Sequence, residues 1–209
     1  MSWLTDTEVD ALLAAPDRTT WLGRRDHALL LTDIQTGLRV SELTGAICND
    51  VTLGTGAHIR CTGKGRKERA TPLTPTTVDV LRTWLAERRP APTEPLFATT
   101  LGRPLSRYGI NDIVDRHVTA AARTCPSLAI RPISAHTLRH TAAMRLLHAG
   151  VDTTVIALWL GHENVETTQI YLHADLTLKE RALSRTTPIG TRPGRYRPPD
   201  SLLAFLETL

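Results

Sequence analysis

Apolar residues along this chain recur in two periods. Up to Leu43 and again from Thr74 onward they fall three and four apart, the spacing of helices that bury one face. Between Asn49 and Leu73 the period drops to two, the signature of short strands. The pattern predicts a mostly α-helical α+β fold with a small antiparallel β-sheet or hairpin at one edge. The first helix opens at a capping box, Thr5 at N-cap and Glu8 at N3, with Leu4 and Val9 as a hydrophobic staple, and ends at Pro16. Residues 24–35 (RRDHALLLTDIQ) read as a largely buried helix. Gly37 is its C-terminal cap, and Ser41 is placed to cap a short helix after it.

Residues 57–61 and 69–73 read as strands joined by Thr62–Glu68 (TGKGRKE), whose two glycines suit a tight turn. Thr74-Pro75 then opens a helix running through Arg88, with Val78, Leu81 and Leu85 inward and Trp84 beside them. Ser106 caps a helix through Arg123, and residues 127–133 are a loop or brief strand. Ser134 caps a helix that carries His136, Arg139 and His140 and ends at Gly150. Asp152 caps the next, with Val151 and Ile156 as its staple, and Gly161 ends it. Beyond it lie a short segment at 167–172 and a helix at 176–183. Residues 186–200 (TTPIGTRPGRYRPPD) read as a flexible basic linker, and 201–209 as a short apolar helix. The expected organisation is therefore one domain over residues 1–185, a linker over 186–200 and a terminal helix over 201–209.

Composition narrows the class. The 209 residues are 41% hydrophobic, enough for one real core. A net charge of +4 and a pI near 9.3 make an anionic partner plausible without specifying one. Aromatics make up only 4%, too few for base stacking to dominate. Cys48, Cys61 and Cys125 are odd in number and widely spaced, as expected of reduced thiols used as small apolar groups. The N-terminus lacks an apolar signal region and no run is long enough to span a membrane, so a soluble, cytoplasmic protein is expected.

The chemistry is concentrated between His136 and His173. Arg139 is a planar cation suited to gripping phosphate oxygens. His136 and His162 can move protons near neutral pH. Tyr171 carries a hydroxyl that can attack. A tyrosine, an arginine and two histidines in one segment of a basic chain suggest phosphodiester chemistry through a covalent phosphotyrosine.

These residues also sit in a recognisable order. His136, Leu138, Arg139 and His140 form an H-x-L-R-H box, and Leu160-Gly161-His162 follows. Tyr171 stands nine residues past that histidine. Upstream, Gly37-Leu38-Arg39 with Ser41-Glu42-Leu43 forms a G-L-R-x-S-E-L turn. Gly63-Lys64-Gly65 with Lys67-Glu68-Arg69 forms a G-K-G-x-K-E-R hairpin. In this combination the chain resembles the catalytic domain of the tyrosine recombinases, the phage-integrase family.

The resemblance implies a site-specific DNA recombinase. Arg39 and Arg139 would hold the non-bridging oxygens of one scissile phosphate, each such donor being worth ~10²–10³ in rate. Tyr171 would attack in line and leave a 3′-phosphotyrosine and a free 5′-hydroxyl. His136 would be the base or proton shuttle, Lys64 the general acid for the departing 5′-oxygen, and His162 a further phosphate hydrogen bond. Neither ATP, a metal nor any other cofactor is implied. Double-stranded recombination sites would be the substrate, with a tetrameric synapse on DNA, a monomer in free solution being compatible with it. Arg66, Lys67, Arg69, Arg192, Arg195 and Arg197 would contact the DNA backbone. Most members carry a preceding DNA-binding domain, whereas this sequence starts at what reads as the first catalytic-domain helix.

Plainer readings compete. Arg39 could be a surface arginine paired with Glu42, and the hairpin cations could be a solvated face. His136 and His140, with His162, could be a zinc site, although Arg139 between them opposes it. Residues 137–160 also have the outline of a helix-turn-helix DNA reader. A type IB topoisomerase would share the chemistry with weaker motif agreement.

Overall fold

The computed structural model describes residues 2–63 and 68–161. Lys64, Arg66 and Lys67 lie outside that set, as do His162, Tyr171, Arg192, Arg195, Arg197, the linker and the terminal helix. The described elements, in chain order, are α1 (Asp6–Ala14), α2 (Trp21–Thr36), α3 (Val40–Gly45), β1 (Val51–Thr52), β2 (His58–Thr62), β3 (Glu68–Pro72), α4 (Pro75–Arg88), α5 (Arg107–Ala121), α6 (Ala135–His148) and α7 (Thr153–Leu160).

Local chemistry starts and stops these helices. The Thr5–Glu8 capping box forms in both directions: the Glu8 side chain accepts from Thr5 N–H at 2.9 Å and Thr5 Oγ1 accepts from Glu8 N–H at 3.3 Å. Leu4 and Val9 beside it are buried. Thr74, Ser106 and Asp152 each cap the helix expected of them. Such a cap typically contributes about 0.5–2 kcal/mol. At Ser134 the expected boundary holds, and Thr137 Oγ1 accepts from Ser134 N–H at 3.1 Å. Gly37 takes the left-handed backbone at φ 63° that ends α2. A side chain there would also meet Leu160 Cδ2 at 2.7 Å, so glycine lets the end of α2 approach the end of α7.

One expectation needs correction and two become more definite. Ser41 is not the N-cap of α3; Arg39 is, and Glu42 reaches back to its N–H at 2.7 Å. The sheet has three strands, because β1 pairs with β2 ahead of the β2–β3 hairpin. Of the loop or brief strand expected at 127–133, it is the loop that forms, entered through a 3₁₀ turn at Pro126–Ala129. Within the hairpin, His58 faces Pro72 and Thr62 faces Glu68, so the antiparallel ladder runs to the edge of the connecting turn.

Helix α2 is central. It packs against α1, α4 and α6, while α5 packs against α1 and α3. Leu12, Leu29, Leu30, Leu81, Val114 and Leu138 are fully buried in the shared core, each stabilising by roughly 1.5–3 kcal/mol. Trp84 is also buried and donates its Nε1–H to Leu96 O at 2.9 Å. Buried Asp26 on α2 accepts from Arg25 Nη2 at 2.6 Å and lies 2.8 Å from His117 Nε2 on α5. Burial alone would raise its pKa, but His117 and Arg25 outweigh that and hold the carboxyl below the usual carboxylate range. The thiols are unpaired, and burial pushes Cys61 up to about 11, leaving it an inert apolar group. No helix among the described residues is long and apolar enough to cross a membrane.

Candidate active site

Two of the sequence-predicted cations arrive from opposite ends of the chain. Arg39 sits at the start of α3, in the turn that Gly37 makes possible, and Arg139 projects from α6. Both line an open cleft of about 400 Å³, together with Ser41, Arg107, Asn111 and His136. Arg139 is 5% exposed and sits at the cleft floor, whereas the Arg39 side chain is 35% exposed. His136, one turn before Arg139 on α6, is exposed.

The arginines also organise the end of α7. Its last carbonyls have no partner within the helix and carry the negative end of the helix dipole. Arg69 Nε donates to Trp159 O at 3.0 Å, Arg139 Nη2 to Leu160 O at 2.7 Å, and Arg39 Nη2 to Gly161 O at 2.7 Å. Three consecutive carbonyls thus each receive an arginine from a different motif. Arg139 Nη1 donates in addition to Gly37 O, joining the ends of α2 and α7. Gly161 ends α7 at φ 64°, and the next residue is His162. The Leu-Gly-His box is therefore, in its described part, a helix terminus clamped by the site's own cations.

Arg39 does pair with Glu42, Nη1 to Oε1 at 3.2 Å, so the plain surface reading captured one of its contacts. Glu42 is buried and receives Arg69 at 2.7 and 2.8 Å as well. Burial would raise the Glu42 pKa; Arg69 and Arg39 more than offset this and keep it ionised. Arg69 is thus displaced from the expected set of DNA-backbone contacts. Its side chain is only 12% exposed, and its guanidinium is committed to Glu42 and Trp159.

The rings of His136 and His140 meet edge to face with centroids 4.2 Å apart. His140 is half-buried, and its pKa is pushed down to about 4, first by burial and then by the charges of His136 and Arg139. It is therefore a neutral imidazole at neutral pH, consistent with a packing and orienting role. Among the described residues no group of three or more His, Cys, Asp or Glu is arranged to hold a metal ion. The helix-turn-helix outline is present in α6 and α7, but the exposed positions of α7 are Thr154, Val155 and Leu158, and the two apolar side chains offer no hydrogen bond to base edges.

Sequence reasoning missed Arg107 and Asn111. Both come from the first turns of α5 and line the cleft beside His136. Their only signal was position, just after the Ser106 cap, and a helix start looks the same whatever it faces.

It also missed Asp33. This carboxyl is fully buried on α2, and neither oxygen has a hydrogen-bond partner among the described residues. Burial pushes its pKa well above the usual carboxylate range, against a smaller opposing pull from Arg139. The folded pKa lies above the unfolded value of about 3.9, so this group's contribution to stability is most favourable below that pH and is lost as pH rises toward the folded pKa. Asp33→Asn is accordingly expected to raise stability at pH 7 relative to wild type, with the gain shrinking toward pH 4. Urea unfolding at both pH values checks it, and a loss of stability at pH 7 would contradict it.

Comparison with known proteins decides the family. The sequence pattern of the phage integrase family matches residues 2–177. The chain belongs to the phage integrase family. It is 54% identical, over all 209 of its residues, to a Sinorhizobium fredii protein that carries an integrase/recombinase name, and covers 63% of that relative. It is 37% identical over 187 residues to the tyrosine recombinase XerC of Pelobacter propionicus, covering 89% of this chain and 60% of that one. The fold is similar to that of the XerH site-specific recombinase bound to palindromic difH substrate after cleavage. The TM-score is 0.74 at 29% identity, over 88% of this chain and 53% of that one. It is also similar to XerA recombinase, with a TM-score of 0.76 at 26% identity over 90% of this chain and 65% of that one. The chain thus spans less than two thirds of these family members.

Proposed function

We propose that this chain is the strand-cleaving and rejoining part of a site-specific DNA recombinase that works through a 3′-phosphotyrosine. The observation that carries the reading is the convergence of Arg39 and Arg139 on one cleft with His136, while both arginines hold the end of the helix that leads toward His162 and Tyr171. Two guanidinium groups fixed by backbone carbonyls are preorganised for the charge that a pentavalent phosphorane gains on its equatorial oxygens. Tyr171 is the nucleophile, His136 takes or relays its proton, and His162 adds a hydrogen bond to the phosphate. Lys64 protonates the departing 5′-oxygen. The ester energy is kept in the phosphotyrosine, so rejoining needs no ATP, and the arginines act as the electrophile in place of a metal ion.

The substrate is a double-stranded recombination site, bound through phosphate contacts from Arg66 and Lys67 and from Arg192, Arg195 and Arg197. Protomers assemble as a tetramer on DNA. The apolar segment 201–209, after its basic linker, is the element suited to dock on a neighbouring protomer. A recombinase acting on chromosomal or mobile DNA would do so in the cytoplasm, at the nucleoid.

A suicide substrate that loses its cleaved 5′ fragment tests the proposal. A covalent protein–DNA complex with a free 5′-hydroxyl is expected, formed equally well in EDTA. Loss of the complex on chelation, restored by zinc or magnesium, would instead favour a metal site at His136 and His140.

A further inference from the structure

Arg69 is the one hairpin cation whose described side chain points inward. From β3 it crosses to two other motifs at once. Its Nη1 and Nη2 reach Glu42 Oε1 and Oε2 at 2.7 and 2.8 Å, a two-point pairing that fixes the relative orientation of carboxylate and guanidinium. Its Nε reaches Trp159 O at 3.0 Å. The side chain also fills the space a side chain at position 161 would need: a Cβ on Gly161 would lie 2.8 Å from Arg69 Nη1. Glu42, gripped in this way, is the same carboxylate that accepts from the Arg39 backbone N–H at 2.7 Å and from Arg39 Nη1 at 3.2 Å.

We propose that Arg69 is a positioning residue for Arg39, locking Glu42 so that Glu42 in turn fixes the Arg39 turn and guanidinium against the phosphate. Buried Glu42 has two oxygens and serves two arginines. Without Arg69 its carboxylate would rotate toward Arg39 and draw that guanidinium out of the cleft, and the Trp159 carbonyl would lose its donor. Sheet, α3 and the end of α7 would then no longer share a common anchor. Misplacement of a reacting or stabilising group by an ångström can cost about 10²-fold in rate.

This inference rests on the reading of Arg39 as a phosphate-holding residue, and the test separates the two. Single-turnover cleavage by wild type, Arg69→Gln and Arg39→Ala is measured on a normal scissile phosphate and on a methylphosphonate at the same position. The methyl group removes the negative charge, and with it the need for Arg39. On the phosphate, Arg69→Gln is expected to lose roughly 10²-fold in cleavage, with DNA affinity and its salt dependence unchanged. On the methylphosphonate the losses of both variants should largely disappear. Arg69→Lys keeps a cation beside Glu42 but not the two-point fork, so it should fold and fall between wild type and Arg69→Gln on the phosphate. It carries the same comparison if Arg69→Gln does not fold.

Relief of Arg39→Ala but not of the Arg69 variants on the neutral linkage would overturn the positioning role and leave Arg69 as a fold residue. A shallower salt dependence of binding in the Arg69 variants would restore the DNA-contact reading in its place. No relief of Arg39→Ala would remove the phosphate-holding role of Arg39, and the proposal with it.

Discussion

Tyr171→Phe is expected to abolish the covalent protein–DNA complex completely while leaving DNA affinity unchanged. Phenylalanine keeps the ring and removes only the hydroxyl that would bond to phosphorus. Nothing else in the proposed chemistry can supply that atom, so the loss should be absolute and not a reduced rate. Two other tyrosines provide the control. Tyr108 is 80% exposed on α5, next to Arg107 at the cleft, and Tyr196 stands in the basic linker. Tyr108→Phe and Tyr196→Phe should both still form the adduct. Mapping the adduct to Tyr108 would break the assignment, because it would place the nucleophile on α5, outside the motif in which Tyr171 follows His162 by nine residues. A persisting adduct in Tyr171→Phe would do the same without any mapping.

Arg139→Lys should lose ~10²–10³ in single-turnover cleavage even though its formal charge is kept. Arg139 is almost wholly buried, and its guanidinium spans two carbonyls, Gly37 O and Leu160 O, while facing the cleft. A lysine offers a point charge on a flexible stem and cannot hold both carbonyls and a phosphate oxygen in one plane. Each buried carbonyl left unpartnered costs roughly 1–3 kcal/mol, so the same substitution should lower the urea midpoint. Cleavage must therefore be compared well below the variant's own unfolding transition. Near-normal cleavage under that condition would remove Arg139 from the site and leave it as a brace between α2 and α7.

Much of this was legible without coordinates, because it rests on local chemistry. Thr5 with Glu8, Thr74-Pro75, Ser106 and Asp152 mark helix starts through hydrogen bonds to backbone groups two or three residues away. Gly37 and Gly161 mark helix ends through a backbone angle that other residues avoid. The motifs that place Arg39, His136 and Arg139 in one site are also readable in order along the chain, and the cleft gathers all three.

What the tertiary structure decided involves partners distant in sequence. Ser41 is the better N-cap by local preference. Glu42, anchored by Arg69 from another element, instead accepts from the Arg39 backbone N–H and starts α3 earlier. Strand β1 is two residues long, too short to carry a period, and exists only because β2 pairs with it. In the hairpin Arg69 reads as one more solvated cation until Glu42 and Trp159 are brought to it. Asp33 reads as an ordinary polar helix residue, and nothing near it in the chain reveals that α2 is covered where it stands. The sequence by itself determined the order of elements and the kinds of groups in the site, since caps, periods and motifs act over a few residues. Which charges face phosphate and which are consumed in holding the others depends on Coulomb and hydrogen-bond partners dozens of residues away, and only the packed chain brings those together.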